Sequence, residues 1–106
     1  MLGDEGAAAL PALVLERANG DRLAVSSFPA TIGKGSAANI CIEGNNSISR
    51  VHVRISQAGG SLVVEDLGST NGTFINGDCL AEGELVILHN GDELRLGKEA
   101  FVVRLG

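Results

Sequence analysis

Four Asn-Gly pairs, at 19–20, 71–72, 76–77 and 90–91, cut this 106-residue chain into short pieces. A type I′ hairpin turn demands positive φ at both central residues, and Asn and Gly tolerate it best. Such pairs between apolar runs predict tight reversals of an extended chain. The runs themselves are short and β-branched. "ALVLERANGDRLAVSSF" (12–28) predicts a hairpin centred on Asn19-Gly20, with Leu23 and Val25 at period two. "TIGK" and "NICIEG" read as short strands. In "RVHVRIS" the alternation places Val51, Val53 and Ile55 on one face and Arg50, His52 and Arg54 on the other. "SLVVEDL" and "ELVIL" are apolar on both faces, as buried strands are. "DELRLG" and "AFVVRL" each carry one apolar face, formed by Leu94 and Leu96 and by Phe101, Val103 and Leu105.

No segment keeps a helical period. The one candidate, "GDEGAAALPA" (3–12), is interrupted by Gly6 and Pro11. Ten or eleven short strands at close spacing predict an all-β sandwich or barrel. Residues 1–11 are expected to be a flexible leader or an expression remnant, and residues 12–106 one folded domain. With no Trp, no Tyr and three Phe, the interior must be filled by Val, Ile and Leu.

Charge narrows the function. A net charge of −5 argues against a nucleic-acid or anionic-membrane surface, which needs a basic face, but leaves room for one small cationic pocket. No apolar run approaches the roughly 18 residues of a membrane span. Cys41 and Cys79, far apart and without a signal peptide before them, suggest reduced thiols in a cytoplasmic setting. Neither CxxC nor HxxxH spacing occurs, so no metal is expected, and no cofactor.

Three loops hold the polar groups that carry chemistry: "TIGKGS" (31–36), "GNNSISRVH" (44–52) and "DLGSTNGTFING" (66–77). If neighbouring strands carry them, they meet at one end of a sandwich, a common place for recognition. Lys34 and Arg50 supply positive charge; Ser49 and Thr70 supply hydroxyl donors; the Gly-rich turns leave backbone N–H groups exposed to an anion. Asn71 both donates and accepts, which suits a grip on peptide backbone. The set fits a phosphate monoester, with nearly two charges and three strong acceptor oxygens, better than a carboxylate. The bland alternative is that these residues only cap turns; three loops offering the same chemistry argue against it.

The order "IGK … SRVH … DLGSTNGTFING" resembles the forkhead-associated (FHA) domain over residues 12–106. Gly33, Ser49, His52, Ser69, Thr70, Asn71, Gly72 and Thr73 stand where that family has its motif residues. The resemblance implies a sandwich of about eleven short, mostly antiparallel strands of the FHA/SMAD-like kind. It also implies a module that binds phosphothreonine on partner proteins, the substrates of a Ser/Thr kinase, and so tethers its parent protein. On that resemblance Lys34, Ser49, Arg50 and Thr70 approach the phosphate and Asn71 the ligand backbone. Gly33, His52, Gly72, Thr73 and Asn76 support the site without touching the ligand, and the domain is expected to be a monomeric part of a larger protein.

One residue departs from the family pattern. Arg usually follows the first Gly, and here it is Lys34. Arg binds phosphate bidentately through a planar fork, whereas Lys is a flexible point charge. The competing reading is therefore a phosphate-independent interaction domain on the same scaffold, within a larger bacterial-type complex. Catalysis is not expected. Ser49, His52 and Asp66 are the ingredients of a hydrolase triad, but Ser49 and His52, three apart at a strand start, should point to opposite faces. "GKGS" lacks the Gly and the helix of a P-loop. His89 reads as a turn residue, and Glu82, Glu84, Asp92 and Glu93 as a solvated acidic surface.

Overall fold

The computed structural model describes residues 12–105; the expected leader, 1–11, lies outside them. Eleven strands form two sheets. In chain order they are β1 (Leu13–Arg17), β2 (Arg22–Val25), β3 (Ala30–Gly33), β4 (Ile40–Cys41), β5 (Val53–Ala58), β6 (Ser61–Asp66), β7 (Thr73–Ile75), β8 (Asp78–Cys79), β9 (Leu85–Ile87), β10 (Glu93–Leu96) and β11 (Glu99–Leu105). The first sheet runs β2-β1-β11-β10-β7-β8 and the second β4-β3-β5-β6-β9. Every ladder is antiparallel except β3 with β4. The chain is thus the all-β sandwich that the run-and-turn pattern predicts.

The two inner faces meet through aliphatic side chains. Leu13, Leu15, Leu94, Leu96, Phe101 and Val103 come from the first sheet, and Ile32, Val53, Ile55, Leu62 and Val64 from the second; all are buried. Full burial of such a side chain stabilises by about 1.5–3 kcal/mol, so this layer fixes strand register. A one-residue slip would turn every one of them to solvent.

Only one of the four Asn-Gly pairs makes the two-residue turn. Asn76 (φ +51) and Gly77 (φ +89) join β7 to β8, with Ile75 opposite Asp78. At 19–20, 71–72 and 90–91 only the Gly has positive φ. The expected two-residue reversal at Asn19-Gly20 is instead a longer turn, in which Arg17 N–H donates to the Asp21 carbonyl at 2.8 Å and the Arg17 carbonyl accepts from Gly20 N–H at 2.9 Å. The Asn side chain is then free to bond: Asn19 Oδ1 accepts from Asp21 N–H at 2.9 Å, and Asn90 Oδ1 from Leu105 N–H at 2.9 Å.

Two strand readings are corrected. "ELVIL" is not buried on both faces: Leu85 is 61% exposed and Ile87 48% exposed. The strand β9 lies at the edge of the second sheet, pairs only with β6, and has nothing over its outer side among the described residues. In "RVHVRIS" the alternation begins at Val53, because β5 starts there. His52, assigned to the outward face with Arg54, is fully buried, since residues 49–52 curl as a loop before the strand begins.

Candidate functional site

Backbone contact at the end of β3 builds the first wall of the site. The chain runs from Gly33 alongside residues 49–52, with Lys34 N–H donating to the Ser49 carbonyl (3.0 Å), Gly35 N–H to the Arg50 carbonyl (3.1 Å) and His52 N–H to the Ile32 carbonyl (2.8 Å). A Cβ at position 33 would collide with the Arg50 carbonyl, so only Gly permits this approach. The side chains of Lys34 and Arg50 therefore leave from two laced segments, and both are exposed.

The second wall is the loop from Asp66 to Thr73. Its organiser is Asp66, 5% exposed. The carboxylate accepts from Gly68 N–H (2.8 Å), Ser69 N–H (2.9 Å), the Ser69 hydroxyl (2.6 Å) and the Thr73 hydroxyl (2.6 Å). Burial opposes its charge, but the donors Ser69, Thr73 and Gly68 outweigh it and hold its pKa below the ordinary carboxylate value. Ser69 passes the order on, accepting from Gly72 N–H at 3.0 Å. The loop leaves Thr70 and Asn71 exposed at its tip.

His52 ties the two walls together. Its Nδ1 faces Ser49 N–H at 3.0 Å, and a backbone N–H can only donate, so Nδ1 is the acceptor. The proton is then on Nε2, which donates to the Gly72 carbonyl at 2.9 Å. Burial lowers the His52 pKa and favours this neutral tautomer. A second tie is direct: Thr70 N–H donates to Ser49 Oγ at 3.0 Å. The Ser49 hydroxyl proton is left for another acceptor, and Thr70 Oγ1 has no protein partner among the described residues.

Ser49 and His52 were expected on opposite faces and instead touch, because the loop curls. Catalysis gains nothing from the contact. Both imidazole nitrogens are committed to backbone groups, and Asp66 bonds the loop rather than the ring.

Between the walls lies a cleft of about 440 Å³, lined by Lys34, Ser47, Ser49, Arg50, Thr70 and Asn71. The structure thus brings together all five residues singled out for ligand contact. Gly33, His52, Gly72 and Thr73 stand directly behind them. Asn76 does not join the group. It occupies the β7–β8 turn, where it bonds Asp92 and Glu93 at 3.0 and 2.9 Å. Asp66 and Ser47 are supporting residues that motif reading missed; the only signal in the sequence was a carboxylate three residues before a Ser and seven before a Thr.

The cations of the cleft are unpaired. Arg17, Arg22, Arg54 and Arg104 each meet a carboxylate, Arg95 lies over the Phe74 ring at 4.1 Å, and Lys98, outside the cleft, has no carboxylate within 4.0 Å among the described residues. Among the described residues Lys34 and Arg50 have no carboxylate within 4.0 Å, in a chain with 13 acidic residues and 8 basic ones. Arg54, on the neighbouring strand β5, is spent on Glu65 at 2.9 Å.

A two-sheet sandwich with an anion-ready cleft at one end, between two loops braced by a buried His, defines a binding module. The chain belongs to the FHA domain family, whose family model matches residues 30–97. FhaB of Mycobacterium tuberculosis is 34% identical over 85 residues, covering 80% of this chain and 53% of the relative. The chain therefore spans about half the length of that curated relative. Among solved structures, one from a structural and functional analysis of phosphothreonine-dependent FHA domain interactions superposes with a TM-score of 0.78 at 28% identity. It covers 90% of this chain and 97% of that one. The N-terminal FHA domain of S. cerevisiae Rad53p, in complex with a phosphothreonine peptide, gives 0.80 at 20% identity, with 90% and 94% covered, and shares the fold.

Proposed function

We propose that the cleft binds phosphothreonine segments of partner proteins, and that the domain so tethers its parent protein to substrates of a Ser/Thr kinase. The observation that carries this reading is the pair of unpaired cations, Lys34 and Arg50, flanking the free hydroxyl donors of Ser49 and Thr70 around one cleft. In a chain of net charge −5, leaving two cations without carboxylates beside each other makes physical sense if an external anion completes them. The related FHA domain at 28% identity, studied for phosphothreonine-dependent interactions, supports the same ligand class. The described groups of the cleft are hydroxyls, cations and an amide, with both ring nitrogens of His52 bonded to backbone, which suits binding of an anion. The exposed free thiols of Cys41 and Cys79, on edge strands of different sheets, support a reducing, cytoplasmic setting.

Calorimetry with matched Thr and phosphothreonine peptides tests the reading. Binding of the phosphorylated form alone supports it. Equal affinity for both forms overturns it in favour of a phosphate-independent interaction domain, the reading that Lys34 in place of Arg favours.

A further inference from the structure

Asn71 enters the cleft with its amide already committed. Nδ2 donates to the Ser47 carbonyl at 2.9 Å, and because a carbonyl only accepts, the amide cannot be reversed. Its Oδ1 is therefore the acceptor presented elsewhere. Ser47 is itself held: its N–H and hydroxyl donate to Asn45 Oδ1 at 2.9 and 2.6 Å, and its Oγ accepts from Lys98 N–H at 2.8 Å. Gly97 lies so close that a Cβ there would collide with the Ser47 carbonyl. The far end of Asn45 reaches another part of the fold. Nδ2 donates to Glu99 Oε1 at 3.1 Å, and Glu99 is gripped by Arg17 Nε and Nη2 at 3.1 and 3.0 Å.

A hydrogen-bonded path thus runs from β1 through β11 to the cleft, by side chains from Arg17 to Glu99, Asn45 and Ser47 and by the Ser47 main-chain carbonyl to Asn71. Capping the 45–48 turn needs only Oδ1, which Asp supplies as well as Asn. The donor half of Asn45 is superfluous for the turn and is used on Glu99. We propose that Asn45 and Glu99 are positioning residues for Asn71, setting the orientation of its amide and hence how firmly the cleft holds peptide main chain beside the phosphate. This rests on the phosphothreonine reading above.

Two probes separate main-chain grip from phosphate grip: a peptide library degenerate around one fixed phosphothreonine, and the free amino acid O-phospho-L-threonine. Asn45→Asp keeps the turn cap but sets a carboxylate against Glu99. It should lower library affinity about tenfold while leaving O-phospho-L-threonine within about twofold. The swap Asn45→Asp with Glu99→Gln restores a donor facing an acceptor and should recover library affinity. On an Asn71→Ala background Asn45→Asp should have no further effect. Equal loss on both probes, persistence of the loss without Asn71, or failure of the swap to rescue overturns the proposal. If the unsubstituted protein binds neither probe, the phosphothreonine reading has failed, and the path is read in the ligand-free protein. There, Asn45→Asp should speed proton exchange of the Asn71 side-chain amide, with recovery in the swap; unchanged exchange overturns it.

Discussion

Thr70 N–H donates to the Ser49 hydroxyl oxygen at 3.0 Å, joining residues 21 positions apart across the mouth of the cleft. One oxygen thereby stitches two loops while its proton stays available to a ligand. Ser49→Ala removes both functions. Phosphopeptide affinity should fall by about 1–3 kcal/mol, the range for losing a hydrogen bond to a charged partner and leaving a donor unmet. Calorimetry reads the loss, and a far-UV melt should show the fold retained. Undiminished affinity would place the phosphate elsewhere.

Lys34→Arg converts a point charge into a planar fork. Lys34 is exposed and free of carboxylates among the described residues, so the longer head meets no competitor. Phosphopeptide binding should tighten by up to about tenfold, one charge-assisted hydrogen bond. Calorimetry at two salt concentrations checks that the gain is electrostatic and shrinks at the higher one. An Arg variant no tighter than the original would show that Arg50 already saturates the phosphate.

His52 makes stability depend on pH. Its pKa in the folded state lies below the ordinary 6.5, chiefly through burial. The unfolded chain therefore binds more protons in the window from 6.5 down to the folded value, and stability falls as pH drops through that window. The slope is at most about 1.4 kcal/mol per pH unit for one proton. Urea unfolding at pH 7.5, 6.5 and 5.5 measures it, and His52→Gln should flatten the dependence. An unchanged slope in that variant would assign it to another group.

Asp66→Asn keeps the shape of the loop anchor but removes its charge and half its acceptor capacity. Four donors converge on this carboxylate. The expected cost is about 2–4 kcal/mol, seen in urea unfolding, with phosphopeptide binding lost as Thr70 and Asn71 move. Because the Asp66 pKa is lowered in the fold, its contribution is present above the ordinary value of 3.8 and disappears as pH falls through the folded value.

Leucines at similar intervals along the chain should differ sharply. Leu94→Ala empties part of the core and should cost about 2–5 kcal/mol. Leu85→Ala, on the open edge strand β9, should change stability by less than about 0.5 kcal/mol. Comparable losses would mean that β9 is covered in solution.

What the sequence showed and what it hid follow from the range of the forces involved. Leu94, Leu96, Phe101 and Val103 were legible because alternation reports on a local pleat with a single wet side. The exposure of Leu85 and Ile87 was not, because edge or interior placement depends on which strands pair, and composition is silent about that. Lys34, Ser49, Arg50, Thr70 and Asn71 were legible as a motif carried by three loops. His52 was misplaced since period two was extended one turn too early, into a stretch where the backbone curls. Asp66 enters the sequence only as the acid of a triad that is set aside; its role depends on four donors that converge once the 66–73 loop has closed. Asn76 belongs to the run that carries the family resemblance and is expected there to support the site, but its turn points toward β10.

At Gly33 only a hydrogen atom separates the chain from the Arg50 carbonyl, so the two cation-bearing segments sit as near as peptide planes allow. Their separation is a property of the main chain and cannot be adjusted by trimming or enlarging neighbours. Tuning of the charge pair itself must then proceed by exchanging the heads it carries, and at position 34 an ammonium stands where a guanidinium would fit.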